Sequence, residues 1–198
     1  ILMQQNTRLH LGLAAAITIC LSPTAFAEDA FIDALTSGKV NLDIQYRFEH
    51  VDQDGFSNNA KASTVRTRIG YLTGAYYGFK AFLEFENTTE VGADDYNSPG
   101  PESPNKANHP IVADPTFTEV NQAYLQYSAP LDTTVRFGRQ RIKLDNDRFI
   151  GNVGFRQNEQ TYDALSIQNT NIDDVTIFYS YLTNVNGVVT LTRTLNFI

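Results

Sequence analysis

Arg47, Arg66, Arg68, Lys80 and Arg136 each stand in stretches where polar and apolar residues alternate. Along a β-strand, residues of like parity share a face, so all five fall on polar faces. Guanidinium and ammonium groups on a low-dielectric wall attract carboxylates and phosphates, and rings of them give anion pores their selectivity. The same positions could serve structure alone, with Arg47, Arg66 and Arg68 pairing with Asp43, Glu49, Glu84 and Glu86. Spacing alone leaves both readings open.

Other chemistries lack their residues. Only His50 and His109 follow His10, and neither H-E-x-x-H nor G-x-S-x-G occurs, so zinc hydrolase and serine hydrolase sites have no basis. Asp145-Asn146-Asp147 opens like a calcium loop, but Phe149 takes the next ligand position and Gly151 comes one residue late. Asp52-Gln53-Asp54-Gly55 fails in the same way. Glu84 and Glu86 share a face and could do acid–base work, although such pairs more often neutralise neighbouring arginines. The expectation is a protein that is not an enzyme and has no cofactor or metal.

Composition narrows the class further. The chain has 198 residues, 42% of them hydrophobic and 19% charged, with one Cys and a net charge of −7. That excludes an internal disulfide and argues against both a disordered chain and a nucleic-acid partner. Arg8 precedes a mostly apolar run, Leu9–Leu21, followed by Pro23 and Ala25-Phe26-Ala27. This pattern predicts a secretory signal peptide over 1–27, cut before Glu28. The remaining 171 residues, 28–198, carry no Cys and a net charge of −8. No other run is long and apolar enough for a membrane helix.

The elements that must position the basic residues read as strands. Glu28–Ser37 can form a short helix that Gly38 ends. From Lys39 to His50, Val40, Leu42, Ile44, Tyr46 and Phe48 alternate with polar residues, a strand long enough to cross a bilayer at a tilt. Further strands are expected at 65–71, 79–86, 117–128, 133–142, 161–169 and 175–183, with a weaker one near 188–197. The connections alternate in length: 51–64, 87–116 and 143–160 are long, whereas 72–78, 129–132 and 170–174 are short. Short turns at one end and long loops at the other mark an antiparallel, up-and-down transmembrane β-barrel. Tyr71, Phe79 and Tyr127 at one rim and Phe48 and Phe85 toward the other give it aromatic girdles. Strict alternation puts Arg139 and Arg141 on the lipid face with Val135 and Phe137. Either a bulge at Gly138 turns them inward, or they reach headgroup phosphates.

Several segments resemble the alginate export family of bacterial outer-membrane proteins. They are Gly38-Lys39-Val40 leading into Tyr46-Arg47-Phe48-Glu49, Arg66-Thr67-Arg68-Ile69-Gly70-Tyr71, and Asp114-Pro115 with Glu119-Val120-Asn121-Gln122-Ala123-Tyr124. The most specific block runs from Gly138-Arg139-Gln140-Arg141-Ile142 through Asp145-Asn146-Asp147-Arg148-Phe149 to Phe155-Arg156-Gln157-Asn158-Glu159 and Tyr162-Asp163-Ala164. The resemblance implies a larger, arginine-lined barrel that passes alginate outward, with Arg139, Arg141, Arg148 and Arg156 as lumen or loop contacts for the anion. It departs from the family after Val185-Asn186, so the chain is expected to be the front part of such a barrel. The partners implied are outer-membrane lipid and lipopolysaccharide, an anionic polysaccharide or small anionic solute, and periplasmic export proteins. Three alternatives stand beside this one: a nutrient porin, a closed eight-stranded barrel with an adhesive or structural role, and a soluble carbohydrate-binding or lyase domain.

Overall fold

A computed structural model describes residues 25–100, 103–189 and 193–194. The signal-peptide expectation falls largely on residues outside this set. Among the described residues one helix, α1 (Ala25–Thr36), leads into β1 (Lys39–Val51), β2 (Ala60–Leu72), β3 (Phe79–Asp95), β4 (Phe117–Ala129), β5 (Thr133–Gln140), β6 (Thr161–Ile172), β7 (Val175–Asn186) and a two-residue β8 (Arg193–Thr194). Each strand pairs antiparallel with the next, so spatial order equals chain order. Among the described residues β1 and β8 do not pair with each other. The described sheet is therefore open at β1 and β8.

Its two faces are inverted relative to a water-soluble sheet. Val40, Leu42 (64% exposed), Ile44, Ile69, Leu83, Phe85, Leu125, Phe137 (68%), Ile177 and Tyr179 lie bare on one face. The other face carries Arg66, Arg68, Glu84, Glu86, Gln122, Gln140 and Ser166, all buried. A sheet in water hides its apolar side. A sheet in a bilayer shows that side to hydrocarbon and keeps the polar side for an aqueous interior. The described residues include no helix long and apolar enough to cross a membrane, so strands are the elements that could do so.

Several strands run past their expected limits, β2 and β3 furthest, whereas β5 stops at Gln140 instead of Ile142. β2 starts at Ala60 instead of Val65, and β3 continues to Asp95 instead of stopping near Glu86. Both extensions lack apolar alternation, yet they hold each other through rungs such as Thr64–Glu90 and Lys61–Asp95. Strand that projects beyond the apolar band needs no apolar face, so periodicity goes silent there. The long connections thereby become 52–59, 96–116 and 141–160. The short turns use residues at positive φ, among them Asp132 (47°) and Asp174 (61°), an arrangement that suits tight hairpins. Most of the weak strand expected at 188–197 lies outside the described residues.

Small apolar clusters fix the long loops over the polar face. Tyr96 and Val112 pack on Ala60 and Ala62 of β2. Ile142, Leu144 and Ile150 pack with Tyr162 and Ala164 of β6. Because the bare apolar face is read as lipid-facing, Ile44→Arg should weaken folding into phospholipid vesicles by about 2–4 kcal/mol. Asn41→Arg, on the opposite face of the same strand, should change it by less than ~1 kcal/mol. Urea titration with heat-modifiable gel migration as the readout measures both.

Candidate functional site

Alternation delivers the basic residues to the polar face, and register then decides which carboxylate each one meets. Asp43 opposes Arg68, Gln45 opposes Arg66, and Arg68 in turn opposes Glu86. Arg66 bonds Asp43 diagonally across β1–β2, and Arg68 bonds Glu86 across β2–β3. These are the pairings that cross-strand geometry favours.

The loop 141–160 completes the site by folding onto this wall. Glu159, 1% exposed, receives Arg141 Nε at 2.7 Å and a second bond from the same guanidinium. Asn121 Nδ2 and Asn152 Nδ2 donate to it at 2.6 Å each, and Arg68 Nη2 lies at 3.6 Å. One buried carboxylate thus holds two arginines from different parts of the chain. Burial pushes the Glu159 carboxyl up, but the Arg141 hydrogen bonds and the Arg68 charge outweigh it, and the net shift is downward. Glu84 sits alongside, accepting from Asn121 and Gln122 at 2.9 Å each, with Arg141 at 3.7 Å.

Next to it, the fully buried Gln157 donates through Nε2 to Thr64 Oγ1 at 2.9 Å and to the Thr64 carbonyl at 3.0 Å. Its backbone N–H donates to Asp114 Oδ1 at 2.9 Å. Asn158 donates to the Pro115 carbonyl at 2.8 Å and accepts from Thr88 Oγ1 at 3.0 Å. A second ionic group lies nearer the loops. Arg47 and Arg156 share Glu49 at 2.7 and 3.0 Å and approach Asp114 at 3.4 and 3.7 Å. Both stack on Phe155, with 5.6 and 5.1 Å from guanidinium carbon to ring centroid. Burial raises the Asp114 carboxyl above its ordinary value even so.

The other expected contacts divide. Lys80 and Arg136 stand on the polar face near the short-turn end, one rung from Phe82 and Tyr124. Arg136 donates to Gln126 at 2.8 Å and stacks over Tyr124 at 5.4 Å, and neither cation has an ion pair among the described residues. Arg148 is exposed beside Phe149. Arg139 and Arg141, expected to share one fate, part company. Gly138 adopts φ +124°, and a side chain there would collide with the Ala123 carbonyl. The β4–β5 register nevertheless runs through it unbroken, so Arg139 stays on the apolar face beside Phe137. There it bonds Asp163 at 2.9 Å and the Val120 carbonyl at 3.0 Å, which removes it from the polar wall. Arg141 lies one residue past the end of β5, where alternation no longer applies, and turns to Glu159.

Residue-type reasoning singled out the cations and missed what organises them: Glu159, Gln157, Asn158, Asn121 and Asp114. The only signal for them was their place in the resembling segments. Because Glu159 is held ionised, its stabilisation of the loop is complete above the ordinary carboxylate range and is lost as pH falls through its depressed folded value. Glu159→Gln should cost about 3–5 kcal/mol, the usual penalty for stripping a partner from buried charges. At neutral pH it should expose 144–156 to protease and to hydrogen exchange, as acid should do to the unsubstituted chain. Asp145→Asn, at an exposed position of the same loop, should do neither.

A sequence profile of the alginate export family matches residues 37–181, which include every strand from β1 to β6 and more than half of β7. Comparison with curated proteins and with solved structures found no match. The family has an export role, not an enzymatic one, and its setting is the bacterial outer membrane. A match across most of the chain, on a sheet whose bare face is apolar and whose covered face is ionic, settles its affiliation: this chain belongs to the alginate export family.

Proposed function

We propose that the sheet forms part of the wall of an outer-membrane channel that passes an anionic saccharide, alginate or a similar uronate polymer, by diffusion. The observation that carries this reading is the inverted burial. The polar, arginine-bearing face is the one shielded by loops, and the apolar face is the one left bare. In a barrel those faces become lumen and lipid surface. Family membership supports an anionic polysaccharide as the substrate class.

The charge arrangement refines the idea of an arginine-lined lumen. Arg47, Arg66, Arg68, Arg141 and Arg156 are all matched by carboxylates, so they make a neutralised, rigid lattice. Among the described residues Lys80 and Arg136 have no carboxylate partner, and they stand beside Phe82 and Tyr124, whose rings lie 5.3 Å apart. A uronate unit offers a carboxylate to such cations and a pyranose face to the half-buried Tyr124 ring. Short turns lie on the periplasmic side of outer-membrane barrels, so this pair meets a polymer arriving from the periplasm. Periplasmic export proteins and lipopolysaccharide are the partners such a position implies.

The protein in a planar bilayer should pass anions over cations. Lys80→Ala with Arg136→Ala should lower the anion preference several-fold and weaken block by oligouronate added from the short-turn side. Arg66→Ala and Arg68→Ala should chiefly destabilise the channel. Cation selectivity of the unsubstituted protein, or no change in the double variant, would contradict the proposal.

A further inference from the structure

Helix α1 is not part of the sheet, yet it is fastened to it. Gly74 N–H donates to the Ala34 carbonyl at 2.7 Å. The Tyr71 hydroxyl donates to the Leu35 carbonyl and accepts from Gly38 N–H at 3.1 Å. Phe31 meets Tyr76 edge-on at 5.5 Å. Gly38 is needed for this approach, because a side chain there would strike the Tyr71 ring and the Leu72 carbonyl. Tyr71 belongs to the bare apolar face, together with Ile69 and Leu83. The helix therefore lies against the lipid side of the sheet, at its short-turn end.

Its own surface has three sides. At about 100° per residue, Ala34 and Phe31 turn toward the sheet, Leu35 and Ile32 occupy the adjoining flank, and Asp29 and Asp33 point away from it. Ala34 is buried, whereas Phe31 (47%), Ile32 and Leu35 remain exposed. Between helix and wall lies a cavity of about 130 Å³ lined by Phe31, Ala34, Leu35, Phe79, Ala81 and Leu125. Phe79, Ala81 and Leu125 belong to the apolar face, so this slot opens from the same surface that meets hydrocarbon.

We propose that α1 is an in-plane interfacial helix and that the slot beneath it takes an acyl chain of an inner-leaflet phospholipid. The proposal rests on the channel reading, which makes the apolar wall a lipid surface. Continuity of Ile32 and Leu35 with that wall identifies the occupant as lipid. The acidic side, Asp29 and Asp33, suits the ammonium of a phosphatidylethanolamine headgroup better than an anionic lipid. Such helices seat their apolar side ~5–10 Å into the headgroup–acyl boundary. Tyr76 and Tyr77, stacked edge-on at 4.7 Å in the adjoining turn, continue the aromatic rim at that depth.

The chain contains no Trp, so a single introduced indole reports its own surroundings. Ile32→Trp, Asp29→Trp and Leu83→Trp change exposed side chains or bare wall and leave the buried contacts intact. Each variant is folded into phosphatidylethanolamine–phosphatidylcholine vesicles whose acyl chains carry bromine at defined depths, with iodide as the aqueous quencher. Ile32→Trp should be quenched several-fold more by shallow bromines than Asp29→Trp, and iodide should reverse that order. Leu83→Trp should be quenched by bromolipid in either case. Iodide quenching of Ile32→Trp equal to that of Asp29→Trp would overturn the proposal, as would protection of Ile32→Trp from both quenchers, which a protein partner would give. If Leu83→Trp also escapes bromolipid, the membrane reading itself fails, and the proposal fails with it.

Discussion

A backbone that borders hydrocarbon must satisfy its hydrogen bonds within the protein, because lipid offers no partners. Most of this molecule's architecture follows from that constraint. It explains why neighbouring strands in the chain are neighbours in the sheet, since hairpin pairing satisfies each strand locally. It also explains why the side chains sort by parity alone. Leu42 and Asp43 are adjacent in sequence, yet one meets the membrane phase and the other an arginine. The inverted burial that follows gives the chain a wall with a chemical side and an inert side.

The chemical side carries a second constraint. Charged groups shielded by loops need partners, or their desolvation would be prohibitive. Register supplies the first set, from Asp43–Arg66 to Arg68–Glu86, and the loop 141–160 supplies the second through Glu159. This loop serves as ionic glue as well as cover. It links β2, β3 and β4 to a segment far along the chain, and Gln157 and Asn158 extend the link to Thr64, Thr88 and Pro115. Most of the arginines are neutralised, and among the described residues Lys80 and Arg136 stand on the polar face without a carboxylate partner.

Much of this was legible in the residues. The alternation from Val40 to Phe48 gave strand, face and crossing length together, and the loop-length asymmetry gave the architecture. What escaped did so for physical reasons. The outer halves of β2 and β3 stand beyond the apolar band, where nothing forces alternation, so Ser63, Thr88 and Glu90 read as loop. Arg139 and Arg141 look equivalent by parity, but β5 ends between them. Glu159 and Gln157 lie in a loop, where local sequence carries no record of what a side chain will reach across the sheet. Cross-strand partners such as Arg66–Asp43 follow from charge and register, whereas the four-way contact at Glu159 joins Arg68, Asn121, Arg141 and Asn152 from separate parts of the chain.

The central claim is that the odd-numbered residues of β3 between Phe79 and Phe85 face lipid and the even-numbered ones face the ionic interior. The most direct measurement is a spin-label scan through residues 79–86, placed one at a time by cysteine substitution in a Cys20→Ser background and folded into phospholipid bilayers. Collision with dissolved oxygen should peak at 81, 83 and 85 and fall to minima at 80, 82, 84 and 86. A flat profile, or maxima at 82, 84 and 86, would contradict the account.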